Sequence, residues 1–135
     1  KVLGERQIII DCDVIQADGG TRTASISGGW IALSNAVNKL LHANKIKSNP
    51  IISQICAISC GVWNGFSVLD LDYSEDSSAE IDTNFVLTSD QKLVEVQISS
   101  ESDPFTKSTM DGLLNLAFEG SDKIFKQQLR AVNDH

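Results

Sequence analysis

The sequence predicts an α+β domain, a mixed sheet with helices packed on it in two layers. Three patterns carry that prediction. Residues 7–16 and the stretch from 51 to 98 alternate or run β-branched, as strands do. Two other stretches repeat apolar residues at spacings of three and four, as helices do. Turn residues separate the strand-like runs into hairpins.

The elements follow in order. In 7–16, Ile8, Ile10, Cys12 and Val14 share one face and Asp11 and Asp13 the other, which predicts a half-buried strand. After a Gly-Gly turn, Ile26, Trp30, Leu33, Val37, Leu40 and Leu41 mark one face of a long helix ending near the 45–50 loop. Gly28 and Gly29 inside it each cost about 1 kcal/mol relative to Ala, and close packing against another backbone would explain them. Residues 51–62 are apolar and β-branched, Asn64-Gly65 supplies a hairpin turn, and 66–71 form the return strand. Residues 83–87 and 92–98 make a second hairpin around Ser89-Asp90-Gln91. Ser108 and Asp111 suit a capping box for a last helix. Its apolar face includes Met110, Leu113, Leu114, Ala117, Ile124 and Phe125, with Gly120 as a weak point.

The 135 residues amount to one domain's worth of chain, enough to bury roughly two thirds of the unfolded surface. Hydrophobic residues make up 41%, which excludes wholesale disorder. No apolar run nears the ~20 residues of a membrane-spanning helix. The first residue is Lys1 rather than Met, so the chain reads as beginning part-way through something longer. Eleven basic residues face 18 acidic ones, a net charge of −7. Non-specific binding of nucleic acid needs the opposite balance, so any contact with a polyanion must be local. Cys12, Cys56 and Cys60 are odd in number and form no CxxC pair, which suits a reducing compartment and buried thiols rather than disulfides or zinc. His42 and His135 lie far from them.

Two segments carry chemistry. In Ala17-Asp18-Gly19-Gly20-Thr21-Arg22-Thr23-Ala24 the glycines allow a tight turn into a helix. Free N–H groups, the helix dipole and the Arg22 guanidinium would then face one spot, a site for an oxyanion such as phosphate. The same residues also suit a plain strand-to-helix connection capped by Thr21 or Thr23. The segment 70–82 concentrates carboxylates beside a hairpin end. Magnesium takes one or two carboxylates plus waters and phosphates, so such a cluster can hold it; a solvated acidic loop has the same composition. A calcium loop does not fit, because Glu75 and Ile81 stand where glycine and glutamate are required. Spacing alone does not rank the carboxylates.

Residues 12–25, from Cys12-Asp13-Val14 through Gly19-Gly20-Thr21-Arg22-Thr23-Ala24-Ser25, resemble the phosphate-binding segment of bacterial RNase PH. Leu69-Asp70-Leu71-Asp72-Tyr73-Ser74-Glu75-Asp76-Ser77, followed by Asp82, resembles its catalytic acidic segment. Glu95-Val96-Gln97 and Pro104-Phe105 fall in the family's order, and the likeness runs over essentially the whole chain. It implies an RNase PH-type fold, N-terminally truncated, with 1–49 the end of the first domain and 50–135 the second. The activity implied is phosphate-dependent 3′→5′ exonucleolytic trimming of tRNA precursors. Nucleoside diphosphates are released, and the reverse reaction is nucleotidyl transfer. Gly20, Thr21 and Arg22 would hold the attacking inorganic phosphate. Asp76 and Asp82 would be the catalytic carboxylates and the ligands of Mg²⁺. The family further implies a cytoplasmic homo-hexamer, a trimer of dimers, in which Trp30, Trp63 and Phe66 belong to core or interface. Alternatives are a non-catalytic RNA-binding or structural subunit, or an inactive truncated product. One departure stands out: Ile98-Ser99-Ser100 replaces the family's Gly-Thr-Ala, which would matter if that backbone needs a positive φ.

Overall fold

The computed structural model describes residues 2–133. Its elements are α1 (Thr21–His42), β1 (Ile55–Trp63), β2 (Phe66–Leu69), α2 (Tyr73–Asp76), β3 (Ile81–Thr88), β4 (Leu93–Ser100) and α3 (Lys107–Asn133). The α+β class and the helix-on-sheet layering are as the sequence predicts. The sheet, however, is not mixed: in the order β2-β1-β3-β4, every neighbouring pair is antiparallel. Short turns force the β1–β2 and β3–β4 pairs, since a parallel neighbour needs a crossover of a dozen or more residues; β3 returns antiparallel on the other side of β1.

Alternation along the strands separates two faces. Cys56, Ile58 and Cys60 of β1 lie beside Leu87, Phe85 and Thr83 of β3. With Leu113, Ala117 and Phe125 of α3, the apolar members of this face form the core. Burial pushes the Cys56 and Cys60 thiols up to about 12, so both are inert packing groups. Cys12 is exposed. Gly120, read as a weak point of the last helix, is instead a contact: a Cβ there would stand 2.5 Å from Ile58 Cδ1. The missing side chain lets α3 descend onto the sheet.

Strand β2 pairs only with the far half of β1, from Cys60 to Trp63. The near half would expose an unpaired backbone edge, a costly and aggregation-prone arrangement. The helices close it. Ser27 Oγ of α1 donates to Ala57 O (3.2 Å) and accepts from Ala57 N (3.1 Å), standing in for a strand partner. The buried Gln128 of α3 donates through Nε2 to Ile55 O and to Ser27 O, both at 2.9 Å. Trp30 Nε1 donates to Ser53 O at 3.1 Å.

Several expectations need correction. Residues 7–16 form no strand and are mostly exposed, with Ile15 99% accessible. A strand requires a neighbouring backbone, and among the described residues none pairs with this one; it lies along α1, where Cys12 Sγ reaches Ser25 O at 3.7 Å. Among the described residues, a Cβ on Gly28 would meet nothing and one on Gly29 only the Ile10 side chain, so no close backbone approach explains them. The last helix begins at Lys107, ahead of the start that a Ser108–Asp111 box requires. Thr106 Oγ1 accepts from Thr109 N at 3.1 Å, and Asp111 pairs with Lys107. The Asn64-Gly65 turn is as read, with φ of 52° and 76°, both left-handed. Phe66 is 75% exposed and no part of the core. Ile98 lies in regular β4 opposite Thr83 and packs against the core, so its replacement of glycine imposes no backbone strain.

Gln128 is the side chain on which edge closure most depends. Gln128→Ala strands the Ile55 carbonyl and is expected to cost about 1–3 kcal/mol. Urea unfolding would read this as a lower midpoint at unchanged slope.

Candidate active site

The face of the sheet opposite the α3 core carries Ser59 and Gly61 of β1, Asp82 and Asn84 of β3, and Glu95 of β4. The N-terminus of α1 and the segment after β2 close over it. Together Asp18, Gly20, Thr21, Arg22, Ser59, Asp76, Asp82 and Asn84 line one cavity of about 250 Å³.

Glycine builds the first wall. Gly20 caps α1 in the left-handed region, φ 72° and ψ 19°, and no side chain caps the helix. This settles the capping question: neither Thr21 nor Thr23 is the N-cap. Thr21 Oγ1 donates back to Asp18 O (2.9 Å) and Thr23 Oγ1 to Gly20 O (2.7 Å). Both hydroxyls are occupied in shaping the turn, and the first-turn N–H groups are left to face an anion. Gly19 is needed for a different reason. A Cβ there would lie 2.1 Å from Leu71 O, so only glycine lets the turn press against the acidic segment. Asp18 ties the two together, accepting through Oδ1 from Gly19 N and from Tyr73 N, each at 2.9 Å.

Local hydrogen bonding sorts the carboxylates that spacing alone leaves unranked. Asp72 and Glu75 are consumed by a reciprocal capping box on α2. Glu80 accepts from Gly65 N in the hairpin turn. Of the segment 70–82, Asp76, at the end of α2, and Asp82, on β3, line the cavity. Burial, and then the neighbouring Asp76 charge, push the Asp82 carboxyl up from its ordinary value; Glu101 adds to the rise and a backbone bond from Thr83 opposes it. Asp82 Oδ1 is buried with no partner. Two acidic groups this close, one with an unsatisfied buried oxygen, are suited to a shared cation. Among the described residues no cluster of three or more His, Cys, Asp and Glu side chains stands ready for a metal. Magnesium, held by one or two carboxylates with waters and phosphates, does not require one.

Arg22 donates from Nη2 to both Glu95 oxygens at 2.8 Å. Each side chain is about half exposed, 50% and 44%, so the pair contributes little stability and can exchange for a bound anion. The structure thus brings together all five residues singled out in the sequence, Gly20, Thr21, Arg22, Asp76 and Asp82. Sequence reading missed Asp18, Ser59, Asn84 and Glu95 as members of the site. For Ser59 a signal existed: it is a polar residue in the alternate register of an otherwise apolar strand.

An antiparallel sheet backed by helices, with a glycine-built helix N-terminus facing two carboxylates across one cavity, defines an α+β protein with a polar candidate site. Residues 53–120 match the 3′ exoribonuclease family, domain 2. Ribonuclease PH of Cereibacter sphaeroides is 56% identical over 132 residues, which is 98% of this chain and 56% of that protein. Ribonuclease PH of Caulobacter vibrioides is 52% identical over the same length and shares. The crystal structure of rice (Oryza sativa) Rrp46 superposes with a TM-score of 0.68 at 16% identity, over 88% of this chain and 51% of that one. The chain belongs to the RNase PH family of 3′ exoribonucleases. It spans about half the length of the curated relatives it matches.

The raised Asp82 carboxyl has a consequence for stability. A carboxyl whose folded pKa exceeds its unfolded one binds its proton more tightly in the native state, so stability falls as pH rises from the ordinary aspartate range through the raised value. Without divalent cations, Asp82→Asn should therefore melt higher than wild type at neutral pH. The gap should close as pH drops below that range, as followed by thermal melts across a pH series.

Proposed function

We propose that this chain supplies the active site of a phosphate-dependent 3′→5′ exoribonuclease that trims the 3′ ends of tRNA precursors. The observation that carries this reading is the cavity shared by the Gly20-Thr21-Arg22 turn and the Asp76–Asp82 pair. Phosphorolysis brings an anionic phosphate against an anionic phosphodiester, so a cationic, pre-organised pole is the first requirement. Arg22 and the first-turn N–H groups of α1 meet it, with charge-assisted bonds orienting inorganic phosphate toward the scissile phosphorus. A phosphate oxygen forms the new P–O bond as the bond to the leaving 3′ oxygen breaks, giving a nucleoside diphosphate and an RNA shorter by one residue. The reverse reaction is nucleotidyl transfer.

Asp76 and Asp82 are the residues that would hold Mg²⁺. When bound, the ion would offset charge on the scissile phosphate and the leaving oxygen. Without a cation these carboxylates repel RNA, and a bound cation would reverse that local repulsion. Residues 50–135, which include the matched segment 53–120, are read as the second domain of the family's subunit, and 1–49 as the end of the first. The protein is further read as cytoplasmic and as a hexameric trimer of dimers, with exposed Phe66, Ile9 and Ile15 as surface available to neighbours. A non-catalytic subunit is disfavoured, because it would have no need of both poles.

In the full-length protein, Asp76→Asn is expected to lower phosphate-dependent release of nucleoside diphosphate from a 3′-labelled tRNA precursor by at least about 100-fold. Its melting temperature should be no lower than that of wild type. Arg22→Ala should chiefly raise KM for phosphate, about tenfold or more. Normal turnover in the Asp76 variant would refute the assignment.

A further inference from the structure

Among the described residues, three buried side-chain polar atoms have no hydrogen-bond partner: Ser34 Oγ, Ser59 Oγ and Asp82 Oδ1. Two of them, on Ser59 and Asp82, belong to the same cavity. An unpartnered buried hydroxyl is costly, and native proteins rarely keep one without a use. Ser59 is only 4% exposed; its carbonyl accepts from Asp70 N at 2.8 Å, and it stands opposite Asn84 in the sheet. The contrast with Thr83 is direct. That buried hydroxyl, on the opposite face of the sheet, donates to Cys60 O at 2.6 Å and so serves the fold.

Position assigns Ser59 to the anion side of the cavity. A Cβ built on Gly20 would stand 3.9 Å from Ser59 Oγ, directly beneath the turn that caps α1. A hydroxyl can donate where a carboxylate can only accept, so Ser59 and Asp82 do not compete for one ligand: Asp82 suits a cation, Ser59 an anion.

We infer that Ser59 is a further phosphate-binding residue, donating its hydroxyl to a phosphate oxygen held at the Gly20-Thr21-Arg22 turn. The inference rests on the functional reading above and extends it to a residue on the sheet floor. The oxygen belongs either to inorganic phosphate or to the 3′-terminal phosphodiester of RNA.

The test uses the full-length protein with Ser59→Ala, which removes the donor at nearly constant volume, and Ser59→Cys, which keeps the size and only a weak donor. Because the hydroxyl bonds nothing in the free protein, both variants should melt no lower than wild type without ligand. In steady-state phosphorolysis, phosphate is varied at saturating tRNA precursor, and then the reverse. A rise in KM for phosphate of about 10- to 100-fold in Ser59→Ala, smaller in Ser59→Cys, places the hydroxyl on inorganic phosphate. The same rise in KM for RNA places it on the phosphodiester, and equally supports the inference. Both constants within twofold of wild type would overturn it. If wild type releases no nucleoside diphosphate, the functional reading fails by itself, and melting in inorganic phosphate then decides. Stabilisation of wild type but not of Ser59→Ala sustains the phosphate contact; equal shifts, or none, overturn it.

Discussion

The close approach of Gly19 to the Leu71 carbonyl is the contact on which the site depends. Two segments more than fifty residues apart become one cavity because a residue without a side chain lets their backbones touch. Asp18 then fixes that approach by accepting one N–H from each segment. Without it the anion turn and the acidic segment would be separate surface loops, each with an ordinary structural explanation. Loops positioned by a rigid scaffold are where binding chemistry is usually found, and here the scaffold includes a direct bond between them.

The arrangement is locally unfavourable. Asp70 adopts a left-handed φ of 59°, uncommon for a residue with a side chain. Asp82 carries an unpartnered buried oxygen beside a second carboxylate, and Ser59 an unpartnered buried hydroxyl. Such costs persist only where the surroundings over-determine them. The opposite face of the sheet does so, with Cys56, Ile58, Phe85 and Leu87 packed against Leu113, Ala117 and Phe125. The helices also serve as an edge strand, since Ser27 and Gln128 satisfy the half of β1 that β2 does not reach.

Much of this fold was legible because local rules and tertiary structure agree. The 3.6-residue stripes became α1 and α3, and Asn64-Gly65 made its turn. The alternation of Cys56, Ile58 and Cys60 correctly marked a buried face. The segment 7–16 shows where local reading fails. Its alternation is strand-like, yet strands are made by partners, and the described chain provides none. The Ser108–Asp111 box failed for a similar reason: Thr106 was a competing cap just upstream, and only geometry chose between them.

Residue type and spacing alone were enough to specify the helices, the hairpins, the buried Cys56 and Cys60 and the two chemical segments; the choice of Gly20, Thr21, Arg22, Asp76 and Asp82 within them came from the resemblance to the RNase PH family. These are short-range matters, governed by φ preference, periodicity and charge. Folding decided which carboxylates remain available, because Asp72, Glu75 and Glu80 are consumed by hydrogen bonds that spacing does not reveal. It also brought Ser59 and Glu95 into the site, since strand register rather than nearby sequence sets which side chains share a face of a sheet.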